Sequence, residues 1–231
     1  MEHIVVNNIS IEVEYKKIKN IHLSVYPPDG RVHISAPETM KPDSVRLYAI
    51  SKISWINRQK ENVLKQERQT PREYVSGENH YFKGQRYRLK VIYYNDIPKV
   101  RLEGKRFINL YVREGTTDNK RAEILKEWYR KELRETLSPL VEKWSQILQV
   151  IPKHWEIKQM KTRWGSCNTR TKRILFNLEL AKKPTHCIEY IVVHELAHLI
   201  ERQHNDRFMS ILNIHMPQWE MYKDELNEFI V

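Results

Sequence analysis

Two histidines and a glutamate interrupt an otherwise apolar segment late in the chain. The segment reads Ile191-Val192-Val193-His194-Glu195-Leu196-Ala197-His198-Leu199-Ile200. Residues four apart in a helix lie one above the other, so a helix here brings His194 and His198 to one point in space. Buried polar side chains are costly unless a partner satisfies them, and imidazole nitrogen is a common zinc ligand. The spacing therefore predicts a buried helix whose two histidines bind one zinc ion, Zn2+.

A third ligand is expected beyond this helix, because catalytic zinc commonly takes three protein ligands and leaves one position to water. His204 follows His198 by six residues and precedes an Asn-Asp pair, which is typical of a helix cap and an acidic first turn. We predict that the chain bends after the first helix and returns His204 to the ion. A carboxylate of the last helix, from Glu220 or Glu225, is the alternative.

Glu195 lies beside the first predicted ligand, where its carboxylate can contact a water on the metal instead of the ion itself. A metal ion makes such a water acidic, and a neighbouring carboxylate can take its proton. The pattern therefore predicts hydrolysis by metal-activated water with Glu195 as the general base. A further donor is expected to stabilise the oxyanion, and the sequence leaves Arg163, Tyr190 and Tyr222 as candidates.

A strand is predicted directly upstream of the metal helix, over residues 173–178. If this strand forms an exposed sheet edge, it can bind an extended peptide as an added strand. A strand buried for structural reasons is the alternative, and the sequence leaves both open.

Short strands dominate the first half of the chain. Branched and aromatic residues alternate with polar ones in four runs, which cover residues 4–13, 21–36, about 80–94 and 99–113. Pro42 opens a helical pattern that we extend to about residue 68. A chain of 231 residues can form one core or two small ones. We predict a β-rich N-terminal lobe over residues 1–116 that contains this long helix.

A second domain is predicted over residues 117–231. A helical pattern runs from Asp118 to about Val150, and Pro139 inside it predicts a kink or a fresh start near Ser138. With the metal helix and the strand before it, this region is expected to be mainly helical with a short antiparallel sheet. The predicted fold class is therefore α+β.

Several segments resemble the YgjP-like metallopeptidase family, which is related to the SprT-like and WLM-type zinc peptidases of the zincin group. The resemblance rests on four stretches, which are Arg163 to Cys167, Ile174 to Asn177, Tyr190 to Leu199 and His204 to Phe208. It implies that residues 117–231 form a zincin-like catalytic domain. It also implies zinc ligands at His194, His198 and His204, a catalytic Glu195, and a protein or peptide substrate.

The related metzincin pattern differs from this chain at one position. Metzincins share the six-residue spacing but place a glycine at the position of Glu201, where the helix must end. This chain has no glycine after Gly165. We therefore expect its helix to end without a glycine, around Gln203.

The distribution of charge along the chain indicates which partners the protein can attract. The net charge is +11, and residues 1–152 carry +9 of it, from 28 basic and 19 acidic side chains. Such an excess can attract nucleic acid, so contact with nucleic acid through this part is a possible partner interaction.

The chain has two cysteines, no apolar core of a signal peptide and no run near the ~18 apolar residues that span a bilayer. We expect a cytoplasmic protein without membrane contact, and predict no oligomeric state.

A zinc-dependent hydrolase of peptide bonds is the predicted function, and three others fit the same residues. The first is a nucleic-acid-associated protein that carries a zinc protease domain, which predicts binding that falls steeply with salt. The second is a non-catalytic zinc-stabilised module, which predicts a fourth protein ligand on the metal. The third is a hydrolase of amides other than peptides.

Overall fold

A computed structural model describes residues 2–26, 29–65, 72–160 and 162–228. The chain forms two compact units, which divide after Thr70. Among the helices within these ranges, none is long and apolar enough to cross a membrane.

In its described part, the N-terminal unit is a four-stranded mixed sheet with two helices. Its elements are β1 (Glu2–Val6), β2 (Ile9–Lys16), β3 (His22–Tyr26), β4 (Arg31–Pro37), α1 (Pro42–Ser51) and α2 (Ile53–Lys65). The sheet order is β1-β2-β4-β3, and β2 lies parallel to β4. Positive φ angles at Asn7 and Asn8 form the tight turn of the first hairpin. Ile11, Ile34 and Ile56 are fully buried in the core of this unit.

The single long helix predicted over residues 42–68 is wrong. The first helix ends at Ser51, and Lys52 closes it with N–H bonds back to the carbonyls of Tyr48 and Ala49, both 3.2 Å long. A second helix begins directly at Ile53. Both have apolar residues at helical spacing, so the pattern alone did not reveal the break. Residues 66–68 lie outside the described part of the chain.

Within its described residues, the second unit contains two sheets and four α-helices. Its strands are β5 (Asn79–Phe82), β6 (Gln85–Tyr93), β7 (Lys99–Glu103), β8 (Phe107–Val112), β9 (His154–Lys158), β10 (Gly165–Asn168) and β11 (Arg173–Asn177). Its helices are α3 (Asp118–Ile147), a 3-10 helix (Leu178–Lys182), α4 (Thr185–Ala197), α5 (Asp206–His215) and α6 (Trp219–Glu228). The sheet orders are β5-β6-β8-β7 and β10-β11-β9.

The α+β class is confirmed, but two details of the prediction are wrong. The sheet before the metal helix is mixed, because β11 pairs antiparallel with β10 and parallel with β9. The unit is also not mainly helical. One core joins both sheets to the helices, with Leu110 from β8, Phe176 from β11 and Val192 from α4 all fully buried.

The compact units do not divide where the sequence suggested. The β5–β8 sheet, which we assigned to the lobe over residues 1–116, shares its core with α3 and α4. Alternation along a strand shows that one face is buried, but it does not show which element covers that face. Compactness does not show which residues catalysis needs, so a catalytic domain over residues 117–231 stays a prediction.

Helix α3 continues through Pro139, so the fresh start expected near Ser138 is wrong. A proline inside a helix costs about 3 kcal/mol or more. Leu133, Leu137 and Val141 are buried on both sides of it, and each such side chain contributes about 1.5–3 kcal/mol. Continuous packing therefore outweighs the lost hydrogen bond. The Ser138 hydroxyl also donates to the Arg134 carbonyl at 2.8 Å.

Candidate metal centre

Helix α4 is buried on nearly all sides. It contacts α3, α5, α6 and β10, and nine of its 13 residues are buried. The prediction of a buried helix over the His-Glu segment is therefore confirmed. Such an environment holds the side chains of His194 and Glu195 at fixed positions in the fold.

The helix ends at Ala197, which is earlier than the expected end near Gln203. The N–H groups of Ile200 and Glu201 both bond the Ala197 carbonyl at 2.9 Å, and a tight turn follows the helix. This turn satisfies terminal carbonyls without a left-handed residue, because no residue from 198 to 206 has a positive φ. The missing glycine therefore does not prevent the chain from leaving the helix.

The turn returns His204 to the two helix histidines. Its Nε2 atom lies 3.1 Å from Nε2 of His194, and the three ring centroids are 4.8–5.0 Å apart. Zinc at 2.0–2.1 Å from two nitrogens in tetrahedral geometry separates them by about 3.4 Å. The three imidazoles offer one nitrogen each within 4.8 Å of one another, so this group can hold a metal ion.

The start of α5 fixes this arrangement from the other side. Asn205 caps the helix, as expected, and its side chain accepts from the N–H of Phe208 at 3.1 Å. The fully buried Phe208 ring then contacts all three imidazoles, with centroid distances of 4.7–5.0 Å. The cap therefore orders both the chain after His204 and the apolar floor beneath the histidines.

Two further contacts orient the helix histidines. The Nδ1 atom of His198 lies 3.2 Å from the Glu201 carbonyl oxygen, which can only accept, so this nitrogen carries the proton. Nδ1 of His194 lies 3.5 Å from the Tyr190 hydroxyl. Each contact leaves the other ring nitrogen available to a metal. Burial lowers the pKa of His194 to about 3 and also lowers the pKa of His198, which keeps both rings in the neutral, metal-binding form.

The Glu195 carboxylate is buried without a full set of partners. The residue is 5% exposed, and its Oε2 atom has no hydrogen-bond partner among the described residues. Burial raises the pKa of Glu195 to about 8, although the charge of Arg163 acts in the opposite direction. An orphaned buried carboxylate beside three converging imidazoles is the arrangement expected where a metal and a water complete the site.

Gly165 makes room for this carboxylate. A Cβ atom added at Gly165 would lie 2.7 Å from both Cγ and Cδ of Glu195. The other five glycines have positive φ angles, whereas Gly165 does not. Its role is therefore space and not backbone conformation. Our sequence reasoning missed this role, and the one available signal was a glycine inside the Arg-Trp-Gly-Ser-Cys segment.

The candidate residues face a cavity of about 440 Å³. Of the three predicted oxyanion donors, Arg163 lines this cavity. Tyr190 is buried behind His194, and the Tyr222 hydroxyl donates to Gln218 at 2.6 Å. The cavity is lined by Arg163, Gly165, Ser166, Cys167, Thr169, His194, Glu195, His198, Arg202 and His204.

The acidic alternatives for the third ligand lie elsewhere. Glu225 pairs with His186 at 2.5 Å, in a separate group that also contains Cys187. That group links α4 to α6, and its Cys187 thiol also donates to the Tyr222 carbonyl at 3.7 Å. Glu220 belongs to neither group. The geometry favours His204, and the ligand set stays a prediction.

The strand over residues 173–177 is not an exposed edge, because β11 lies between β10 and β9. The alternative of a buried structural strand is confirmed for it, with Ile174 and Phe176 fully buried. Within the described residues, β10 pairs with β11 on one side only. Three residues of β10 line the cavity, so the sheet edge beside the candidate site belongs to this strand.

Comparison with known proteins agrees with this site. The model of the YgjP-like metallopeptidase domain matches residues 19–229. The chain therefore belongs to the YgjP-like family, and the resemblance predicted from its motifs is confirmed. It is a protein of the metallopeptidase class, and this class implies a metal ion and a protein or peptide substrate.

Two solved structures are also similar to this one. The metallopeptidase zymogen of Pyrococcus abyssi abylysin has 20% sequence identity and a TM-score of 0.36, and the match covers 38% of this chain and 89% of that chain. The metallopeptidase zymogen of Methanocaldococcus jannaschii jannalysin has 20% identity and a TM-score of 0.38, with 42% and 91% covered. No curated protein sequence matches the chain.

The contact between Gly165 and Glu195 can be tested by a double-mutant cycle in the metal-free protein. Gly165→Ala is expected to lower the free energy of unfolding by about 1–3 kcal/mol, because the new methyl group overlaps the glutamate side chain. In a Glu195→Ala background the overlapping atoms are gone, so most of this cost disappears. Urea unfolding of the four proteins measures both values. An equal cost in both backgrounds would contradict the contact.

The raised pKa of Glu195 predicts how stability depends on pH in the metal-free protein. Below about pH 4.5 the carboxyl is protonated in the folded and the unfolded state. Between about pH 4.5 and 8 the unfolded state releases a proton that the folded state keeps, so stability falls as pH rises. Glu195→Gln has no carboxyl group to titrate, so its stability does not fall in this way. Its free energy of unfolding should exceed that of the parent by a few kcal/mol as the pH rises across that range. If the free energy of unfolding changed with pH in the same way in both proteins, the raised pKa of Glu195 would be contradicted.

Proposed function

We propose that this protein is a zinc-dependent peptidase in which His194, His198 and His204 hold the metal and Glu195 is the general base. The observation that supports this most directly is the convergence of three imidazoles beside a buried carboxylate with an unpartnered oxygen. A fold gains nothing from such a group unless a ligand satisfies it. In peptide hydrolysis, the three imidazoles would bind the metal and the carboxylate would transfer the proton.

Three imidazole nitrogens are a ligand set typical of catalytic zinc, so zinc is the metal that we assign to this site. A bound divalent ion supplies a positive charge that polarises a carbonyl and makes a water acidic. Among the described residues, the group contains three candidate ligands and not four. This favours a catalytic site over a closed structural one, in which four protein ligands are usual.

Glu195 acts on the proton of the attacking water. Its carboxylate accepts this proton and then transfers it to the leaving amine, so it begins and ends the cycle in the same state. Burial makes the carboxylate more basic than an exposed one, which favours the first transfer. Arg163 lines the same cavity and can donate to the developing oxyanion.

The edge of β10 supports a peptide as substrate. An extended chain added to this edge would form main-chain hydrogen bonds independent of its side chains. Gly165, Ser166 and Cys167 of the strand line the cavity, so the peptide backbone would pass beside Glu195. The cytoplasmic setting and a contact with nucleic acid stay predictions from composition.

Removal of His204 tests the ligand set. Purified protein is expected to contain about one zinc per chain, and His204→Ala should lose most of it, because two remaining nitrogens bind zinc far more weakly. Elemental analysis after gel filtration measures the metal content. His154→Ala is the control, since His154 is exposed on β9 and belongs to neither candidate group. Full zinc content in His204→Ala would remove His204 from the site.

Replacement of Glu195 by glutamine tests the general base separately from the metal. An amide cannot accept the proton, so Glu195→Gln should retain zinc and lose about 10²–10⁴-fold in peptide hydrolysis. Glu220→Gln on α6 is the control and is expected to cleave at the parent rate. Digestion of a peptide library followed by mass spectrometry provides the readout. Undiminished cleavage by zinc-loaded Glu195→Gln would refute the assignment.

A further inference from the structure

Two arginines line the candidate metal cavity from different elements. Arg163 precedes β10, and Arg202 follows α4. Glu195 is the one carboxylate among the described residues that line the cavity. The charged groups therefore number two guanidiniums against one carboxylate before any metal is bound, and a divalent cation would increase this positive excess.

In the described part of the chain, the two arginines lack the close acidic partners that other arginines of this unit have. Among the described residues, Arg163 and Arg202 form no ion pair or side-chain hydrogen bond with a carboxylate. In the same unit, Arg130 pairs with Glu127 at 3.2 Å and Arg173 pairs with Glu156 at 2.6 Å. Unpaired arginines are common on open surfaces. These two are also exposed, but they line one concave site, so their positive charges can act on the same bound group.

Both arginines lie close to the groups that would carry out the reaction. The charge of Arg163 acts on the Glu195 carboxylate. Arg202 directly follows Glu201, whose carbonyl lies 3.2 Å from Nδ1 of His198. The backbone at Arg202 is thus tied to a candidate metal ligand. A substrate group bound by these guanidiniums would therefore lie next to the scissile bond.

We propose that Arg202, together with Arg163, makes this site select substrates that carry a carboxylate beside the scissile peptide bond. The claim about cleavage rests on the proposed function, whereas the claim about binding does not. A guanidinium binds a carboxylate through two parallel N–H···O bonds, which gives both affinity and orientation. The carboxylate can come from an aspartate or glutamate side chain or from the C-terminus of the substrate.

The other lining residues agree with this preference. Ser166, Cys167 and Thr169 are uncharged, so no acidic group is available there to bind a lysine or arginine of the substrate. A basic substrate would meet like charges and lose affinity. A neutral substrate would leave both guanidiniums without a partner and gain nothing from them.

Three labelled peptides test the preference on zinc-loaded Glu195→Gln protein, which should bind without cleaving. The first has a central glutamate and an amidated end, the second has glutamine and the same end, and the third has glutamine and a free C-terminus. We expect the first or the third to bind about tenfold or more tightly than the second, as charge-assisted bonds predict. The advantage should weaken at high salt. Fluorescence anisotropy measures the affinities.

Two variants show whether Arg202 is responsible. Arg202→Gln in the same background should abolish most of the advantage. Arg207→Gln is the matched control, because Arg207 is exposed five residues further on, lies outside the cavity lining and should leave the advantage intact. An advantage of the first peptide identifies a side-chain carboxylate, and an advantage of the third identifies a terminal one.

Equal affinity for the three peptides would overturn the proposal, as would an advantage that survives Arg202→Gln. Binding of a DNA duplex that depends on Arg202, with no difference among the peptides, would overturn it in favour of phosphate. Cleavage by the parent protein separates the two proposals. A carboxylate preference in binding with no hydrolysis would contradict the proposed function alone, and hydrolysis without preference would contradict this inference alone.

Discussion

The burial of polar side chains in α4 is the constraint on which the rest of the candidate site depends. The helix packs against α3, α5, α6 and β10, so Glu195 is buried and His194 is partly buried, and both face the cavity. Their polar atoms must therefore be satisfied inside the protein or by a ligand. The bare Cα of Gly165 allows the carboxylate to lie against β10, which joins the sheet edge and the helix into one site. Packing and chemistry are thus set by the same contacts.

Charge around the cavity follows from the same enclosure. Burial favours neutral imidazoles at His194 and His198 and raises the pKa of Glu195, whereas the exposed side chains of Arg163 and Arg202 line the same cavity. The interior of the site is therefore suited to a cation, and its rim is suited to an anion. A peptide with a carboxylate near the scissile bond would fit both regions. Its scissile carbonyl would contact the cation in the interior, and its carboxylate would contact the arginines at the rim.

Local spacing was a reliable guide where one helix or one cap decides the geometry. His194 and His198 share a helix face, and Asn205 caps α5, as their positions in the chain predicted. Sequence reasoning failed at helix ends and at the proline inside α3. The helix end at Ala197, the break at Lys52 and the continuous α3 all depend on packing or on turn hydrogen bonds that no short pattern encodes. Tertiary contacts override such local preferences by a few kcal/mol.

The sequence by itself determined the α+β class, the family resemblance and the identity of the candidate metal-binding side chains, because these follow from residue type and spacing. The tertiary structure alone decided that β10 and not β11 provides the sheet edge, that Gly165 makes space for Glu195, and that two arginines face the cavity. Each of these depends on which segments become neighbours. Neighbours distant in the chain are chosen by the free energy of the whole core, to which every buried element contributes.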